Sequence, residues 1–174
     1  DDGEVFLGAG LTFQELLDLP PLEAEFGVLA RAIAVLGSPP IRHMGTLGGN
    51  LATASPAGDS LPPLYVLEAE VELASPAGRR RLPVARFITG PGCTALGPDE
   101  VVAGVWLPRR PAQNLHHFEK AGARGALAIS IASLAVCARL GDDGRVRSIR
   151  MAWGSVGPTV VRCRAAEEHL AGRW

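Results

Sequence analysis

The stretch "RHMGTLGGNLATASPAGDS", residues 42–60, combines two adjacent glycines, a run of small hydroxylated residues and one carboxylate with few bulky side chains. Packing alone does not select such a composition. A main chain that lies close against a ligand does, because glycine removes the Cβ from the approach. Gly48 and Gly49 permit positive φ and expose backbone N–H groups. Successive N–H groups around one concavity form an anion nest, suited to a pyrophosphate. Thr46, Asn50, Thr53 and Ser55 add neutral donors. Asp59 is an acceptor, so it suits a ribose or ribityl hydroxyl or a ring N–H. Together these groups are what a dinucleotide-like ligand needs. The spacing matches neither a G-x-G-x-x-G turn nor a Walker loop. On spacing alone, a glycine-rich surface turn with a satisfied aspartate reads equally well.

The totals narrow the setting. A length of 174 residues suits one medium domain or two small ones. With 47% hydrophobic and 20% charged residues the chain can build a packed core. Gly 21 and Pro 14 point to many turns and irregular binding loops. A net charge of −1 advertises neither a nucleic-acid nor an anionic-membrane partner. The basic triplet Arg79-Arg80-Arg81 reads as a solvated turn leading into a strand. Cys93, Cys137 and Cys163 form no C-x-x-C, which argues against an iron–sulfur or zinc site on this chain. Reduced thiols fit a cytoplasmic protein. No apolar run reaches membrane-spanning length, and the acidic start "DDGEVFLGAG" is unlike a signal peptide.

That start reads as the middle of a hairpin, with Asp2-Gly3 as the turn and "EVFLGA" as the outgoing strand. Its partner strand is expected before residue 1. Thr12-Phe13-Gln14-Glu15 is a capping box opening a short helix to Leu19. Pro20-Pro21 stop it and start a second helix, whose Leu22, Phe26, Leu29, Ile33 and Leu36 recur at helical spacing until Gly37. After the glycine stretch, "LPPLYVLEA" is short and helical or irregular. "EVELASPAGRRRLPV" gives two strands about a turn, "FITGPGCTALGPDE" a second Gly/Pro loop, and "VVAGVWLP" a strand. "RRPAQN" has the texture of a linker. "LHHFEKA", "ALAISIASLAVCARL" and "VRSIRMAWGSV" read as three strands, the last two joined at Gly141-Asp142-Asp143-Gly144. "VVRCRAAEEHLAGRW" reads as a closing helix beginning near Pro158-Thr159. Of the histidines, His116 and His117 open a strand where exposure is expected. His43 is the one near the glycine stretch, in a structural role.

The wider pattern, "GAGLTFQEL … IRHMGTLGGNLATASPAGDSLPPLYVLEAEVEL … RRRLPVARFITGPGCTALGPDEVVAGVWLP … FEKAGARGALAISIASLAV … MAWGSVGPTVVRCRAAEEHLAG", resembles the FAD-binding medium subunit of the molybdenum hydroxylases. This is the xanthine dehydrogenase, carbon monoxide dehydrogenase and 4-hydroxybenzoyl-CoA reductase group. The resemblance spans nearly the whole chain, and its "IR-x-x-GT-x-GGN-x-x-x-ASP-x-GD" core is highly specific.

The resemblance implies an α+β fold. Residues 1–110 correspond to the second lobe of a two-lobed FAD-binding domain of the vanillyl-alcohol-oxidase-like superfamily. Residues 111–174 correspond to part of a C-terminal domain with a three-stranded antiparallel sheet and a helix, the flavin lying in the cleft between. It also implies that Thr46, Leu47, Gly48, Gly49 and Asn50 run along the FAD diphosphate, and that Thr53 and Asp59 hydrogen-bond the flavin nucleotide. Lys120 then stands near the flavin ring, Val102 packs on the cofactor, and Leu36 covers the nucleotide. The family's first phosphate loop, of "AGGT" type, has no match here, and the sequence reads as cut at both ends.

The implied function is an oxidoreductase subunit that passes electrons through FAD to NAD, a quinone or oxygen. The electrons come from 2Fe-2S clusters on a small iron–sulfur partner subunit, and originally from molybdopterin on a large one. The alternative is a flavin-free assembly module that needs a complementing chain. A single-chain flavoenzyme acting on a small metabolite is disfavoured, because no His or Cys is poised in the glycine stretch as acid or base.

Overall fold

A computed structural model describes residues 3–110, 113–124 and 127–174. Asp2 of the expected first turn, Pro111 and Ala112 of the expected linker, and Ala126 at the head of the expected middle strand lie outside the described residues. The first half runs β1 (Glu4–Gly8), α1 (Phe13–Leu17), α2 (Pro20–Ala34), α3 (Pro39–Met44), α4 (Leu47–Thr53) and α5 (Leu61–Val66). Then follow β2 (Glu70–Ser75), β3 (Gly78–Pro83), α6 (Val84–Phe87), β4 (Ile88–Gly90), β5 (Cys93–Thr94) and β6 (Val101–Pro108). The second half holds β7 (Leu115–Gly122), β8 (Ser130–Leu140), β9 (Val146–Gly154), β10 (Val161–Arg162) and α7 (Arg164–Leu170).

The first sheet is antiparallel in the order β1-β6-β2-β3. Alternation along its strands buries Leu7, Val71, Leu73, Val105 and Leu107 on one face. On the other face Glu72 is also buried, and its carboxylate accepts from Trp106 Nε1 at 2.7 Å and Arg79 Nη1 at 2.5 Å. Arg81 stacks 3.6 Å over the Trp106 ring. The arginine triplet is therefore not a turn. It lies within β3, where Arg79 and Arg81 neutralise Glu72 and Arg80 grips both oxygens of Glu100. That grip, with the Gly97 N–H, holds the Glu100 carboxyl down at about 2.

The capping box forms as expected: Thr12 N–H donates to Glu15 Oε2 at 2.8 Å and Glu15 N–H to Thr12 Oγ1 at 3.1 Å. Helix α2 starts on Pro20 and Pro21, buries Leu22, Phe26, Leu29 and Ile33, and kinks at Phe26. Gly37 turns the chain away with φ +52°.

The second sheet has the order β10-β9-β8-β7. The three expected strands are present, and the hairpin turn places Gly144 at φ +77°. A fourth, two-residue strand is added. Val161 and Arg162, expected in the closing helix, pair instead with Trp153 and Ala152. The cause is local. Glu167 takes a forked pair of hydrogen bonds from Arg162, both 2.8 Å, and the Met151 N–H at 2.7 Å, which pins Arg162 to β9 and delays α7 to Arg164. Helix α2 packs on β7 and β8, and α5 on β8 and β9. Ala135 of β8 and Ala152, opposite it on β9, are buried in the core beneath these helices, and their small side chains let the helices come close. One apolar cluster runs through both halves.

His117 is exposed as expected, but His116 is half-buried. Its Cβ lies against Gly27 of α2 and its Nδ1 is 3.5 Å from Cys137 Sγ. Burial, with Arg31 nearby, lowers its pKa. Burial likewise pushes the Cys137 thiol up to about 12. A thiol-specific chromogenic disulfide should therefore label exposed Cys93 at once, while Cys137 reacts only on unfolding. Prompt labelling of Cys137 in the native protein would contradict this packing.

Candidate functional site

The glycine stretch is not a loop. Thr46 is an N-cap, its Oγ1 accepting the Gly49 N–H at 3.1 Å, and residues from Leu47 to Thr53 are helical. Leu47 and Leu51 are fully buried and root the helix in the core. The remaining backbone donors are spent on the chain itself. Leu47 N–H bonds the Leu11 carbonyl at 3.0 Å, Gly48 N–H the Ala9 carbonyl at 2.9 Å, and Asn50 N–H the Thr46 carbonyl at 3.0 Å. Neither Gly48 nor Gly49 has positive φ. The expected nest of glycine N–H groups is thus corrected to a capped helical turn. Glycine is needed at position 48 for another reason: a Cβ there would lie 2.6 Å from Ala9 Cβ and 3.0 Å from its carbonyl oxygen. Thr53 Oγ1 donates back to the Gly49 carbonyl at 2.8 Å, and Asn50 Oδ1 accepts from buried Ser60 at 2.7 Å.

Asp59 and Lys120, sixty-one residues apart, are brought together. Asp59 sits between α4 and α5, and Lys120 on β7. Lys120 Nζ donates to Asp59 Oδ2 at 2.6 Å, the two side chains being 12% and 8% exposed. The other carboxylate oxygen accepts from Ser130 Oγ on β8, also at 2.6 Å. Ser130 falls within the expected middle strand, and nothing local in the sequence marks it out. The signal that singles it out is spatial, across the β7–β8 pairing.

Lys120 also borders a cavity of about 500 Å³. The turn after α2 supplies Val35 and Gly37, β7 supplies Phe118 and Lys120, and the β7–β8 connection supplies Arg124 and Leu127. Leu36 lies between two of these positions but turns into the core, with 9% of its surface exposed. Its carbonyl, with that of Gly37, accepts from Arg42 Nη1 at 3.1 and 3.3 Å, a bond the sequence reading missed. Val102 is on β6 opposite Leu73 and packs on the core outside this cavity. It neighbours Ala103, whose carbonyl binds the Ala9 N–H at 2.9 Å, so Val102 belongs with the α4 group. The structure therefore gathers the expected residues into two sets. Asp59, Lys120 and the flank of Leu36 form one; Thr46, Leu47, Gly48, Gly49, Asn50, Thr53 and Val102 form the other. His43 is exposed on α3.

Two outcomes follow from these contacts. Gly48→Ala should destabilise the fold by about 1–3 kcal/mol through overpacking, although alanine is the better helix former. Urea denaturation measures this, and an unchanged midpoint would show that Ala9 yields. Asp59→Ala should cost about 3–5 kcal/mol by stranding a buried ammonium. Adding Lys120→Met should recover much of that loss, and strict additivity in the double-mutant cycle would mean the pair is not coupled.

Comparison with known proteins identifies the family and the fold. Residues 1–110 match the family described as "FAD binding domain in molybdopterin dehydrogenase", and residues 116–174 match "CO dehydrogenase flavoprotein C-terminal domain". The chain is 33% identical over 170 residues to the xanthine dehydrogenase FAD-binding subunit of Escherichia coli O157:H7, covering 97% of this chain and 58% of that one. It is 33% identical over 175 residues to the nicotinate dehydrogenase FAD-subunit of Eubacterium barkeri, covering 99% and 59%. The fold superposes with a TM-score of 0.92 and 30% identity on carbon monoxide dehydrogenase from Hydrogenophaga pseudoflava, in a form lacking the Mo-pyranopterin moiety. That match covers 99% of this chain and 60% of the other. The chain thus spans about three-fifths of the length of these relatives. With both halves matched in order and the same fold found in a solved relative, the chain belongs to the FAD-binding subunit family of the molybdopterin dehydrogenases.

Proposed function

We propose that the chain is the flavin-binding part of a molybdenum hydroxylase. In this reading it passes electrons from iron–sulfur centres of a small partner subunit, fed by a molybdopterin subunit, to NAD, a quinone or oxygen. The observation that carries the reading is the Asp59–Lys120 pair at the wall of the cavity of about 500 Å³. That volume lies within the usual range of about 300–1,000 Å³ for cofactor-sized pockets.

The residues present fit the ring end of FAD. Val35 and Phe118 offer apolar surface that excludes water, and Lys120 offers an ammonium whose positive charge stabilises negative charge developing beside it. Asp59 takes one of the three ammonium donors, leaving others for a ligand. At the diphosphate end, the α4 N–H groups of Leu47, Gly48 and Gly49 are already satisfied. In this reading the contribution of α4 falls to side chains. Asn50 keeps its amide donors, since its Oδ1 is the atom engaged by Ser60. Bound FAD would supply the capacity to take up and release electrons singly or in pairs. Free cysteines at three separate positions support a reducing, cytoplasmic setting, and among the described residues no helix is long and apolar enough to cross a membrane.

The spent N–H groups also favour a second reading, a module that holds flavin only with a complementing chain. Each charge-assisted backbone bond contributes about 1.5–3 kcal/mol, so lacking two or three weakens binding by about 3–9 kcal/mol. At about 1.4 kcal/mol per tenfold, a nanomolar site falls to micromolar or weaker. The 174-residue chain alone should therefore purify colourless. It should quench FAD fluorescence strongly only when a polypeptide carrying the "AGGT"-type loop is added. Stoichiometric binding by the bare chain would show that α4 suffices. No binding with the complementing polypeptide would sink the flavin reading.

A further inference from the structure

Ser130 lies outside the glycine stretch, yet it is 6% exposed and spends its hydroxyl on Asp59 Oδ1 at 2.6 Å. Asp59 Oδ2 is held by Lys120 at 2.6 Å, so each carboxylate oxygen has one protein donor. The two donors come from adjacent strands. A register shift between Ala121 and Gly122 sets Gly122 opposite Ser130, and Lys120 opposite Ser133. A carboxylate held at one oxygen can pivot about that bond. Held at both, its plane is fixed, and the ammonium bonded to it is fixed as well. This matters for lysine, whose ammonium is a point charge on a flexible four-carbon stem, without the pre-organised fork of a guanidinium.

We infer that Ser130 is a positioning residue: it locks the Asp59 carboxylate, which in turn holds the Lys120 ammonium at the cavity wall and partly neutralises it there. The trio sets how far the site favours a reduced, more negative ring over an oxidised one. This inference rests on the flavin reading given above. It separates two effects of opposite sign. Loosening Asp59 lets the ammonium withdraw, which disfavours the reduced form. Removing the charge of Asp59 while keeping its shape leaves the ammonium uncompensated, which favours the reduced form.

The test measures the midpoint potential of FAD bound to the full-length natural polypeptide, by reductive titration against a dye. Ser130→Thr keeps the hydroxyl, and Ser130→Val is its isostere without one, so steric effects of the added methyl group are common to both. Ser130→Thr should keep the wild-type potential. Ser130→Val should lower the reduced-over-oxidised preference about tenfold, or about 30 mV for a two-electron couple. Asp59→Asn should raise it by a similar factor, and it keeps the inference testable if Ser130→Val fails to fold. Equal potentials in wild type, Ser130→Val and Asp59→Asn, all carrying FAD, would overturn the inference and leave the flavin reading intact. A wild-type polypeptide that takes up no FAD would bring down both.

Discussion

A buried carboxylate shared by two strands organises this molecule. Asp59 leaves the first half of the chain between α4 and α5, and receives one donor from β7 and one from β8. An isolated charge at 7% exposure would be costly. Here the cost is offset only if the two halves keep their relative placement. The carboxylate thus makes the packing of the glycine helix region against the second sheet conditional on the position of Lys120.

The same junction is tied at a second point. Helix α5 is buried at all six positions. Beyond it Glu68 adopts φ +56° and bridges Arg110, at the end of the first half, to Arg150 on β9, the latter at 3.3 Å. Arg162 on β10 reaches the Tyr65 carbonyl at 3.5 Å. Ion pairs flanking a fully apolar helix divide the labour. Apolar burial supplies most of the attraction, and the directional bonds choose one register among the many that greasy surfaces allow.

How much of this was legible in the sequence depends on range. Local chemistry read well: the Thr12–Glu15 box, the Pro20-Pro21 start of α2, the Gly37 stop and the Gly141–Gly144 hairpin all involve residues a few positions apart. The glycine pair misled because glycine has more than one use. Permissive φ and close approach leave the same letters in the sequence, and only the position of Ala9 distinguishes them. Family resemblance placed Asp59 and Lys120 in one site, but not their direct bond. Ser130 and Arg42 carried no local mark, since their partners lie across strands or around a helix end. Val161 and Arg162 left the expected helix because a side chain farther along, Glu167, held them to β9.

The contact between Gly48 and Ala9 has a mechanical meaning. Leu47 and Gly48 hang from the carbonyls of Leu11 and Ala9, and Ala9 hangs from Ala103, so α4, the tail of β1 and the middle of β6 form one truss. Among the described strands β1 is an edge, with one flank open. At residue 48 the two backbones meet with no room for even a methyl group, so the end of the first strand and the stretch that opened the sequence share one close contact and one set of hydrogen bonds.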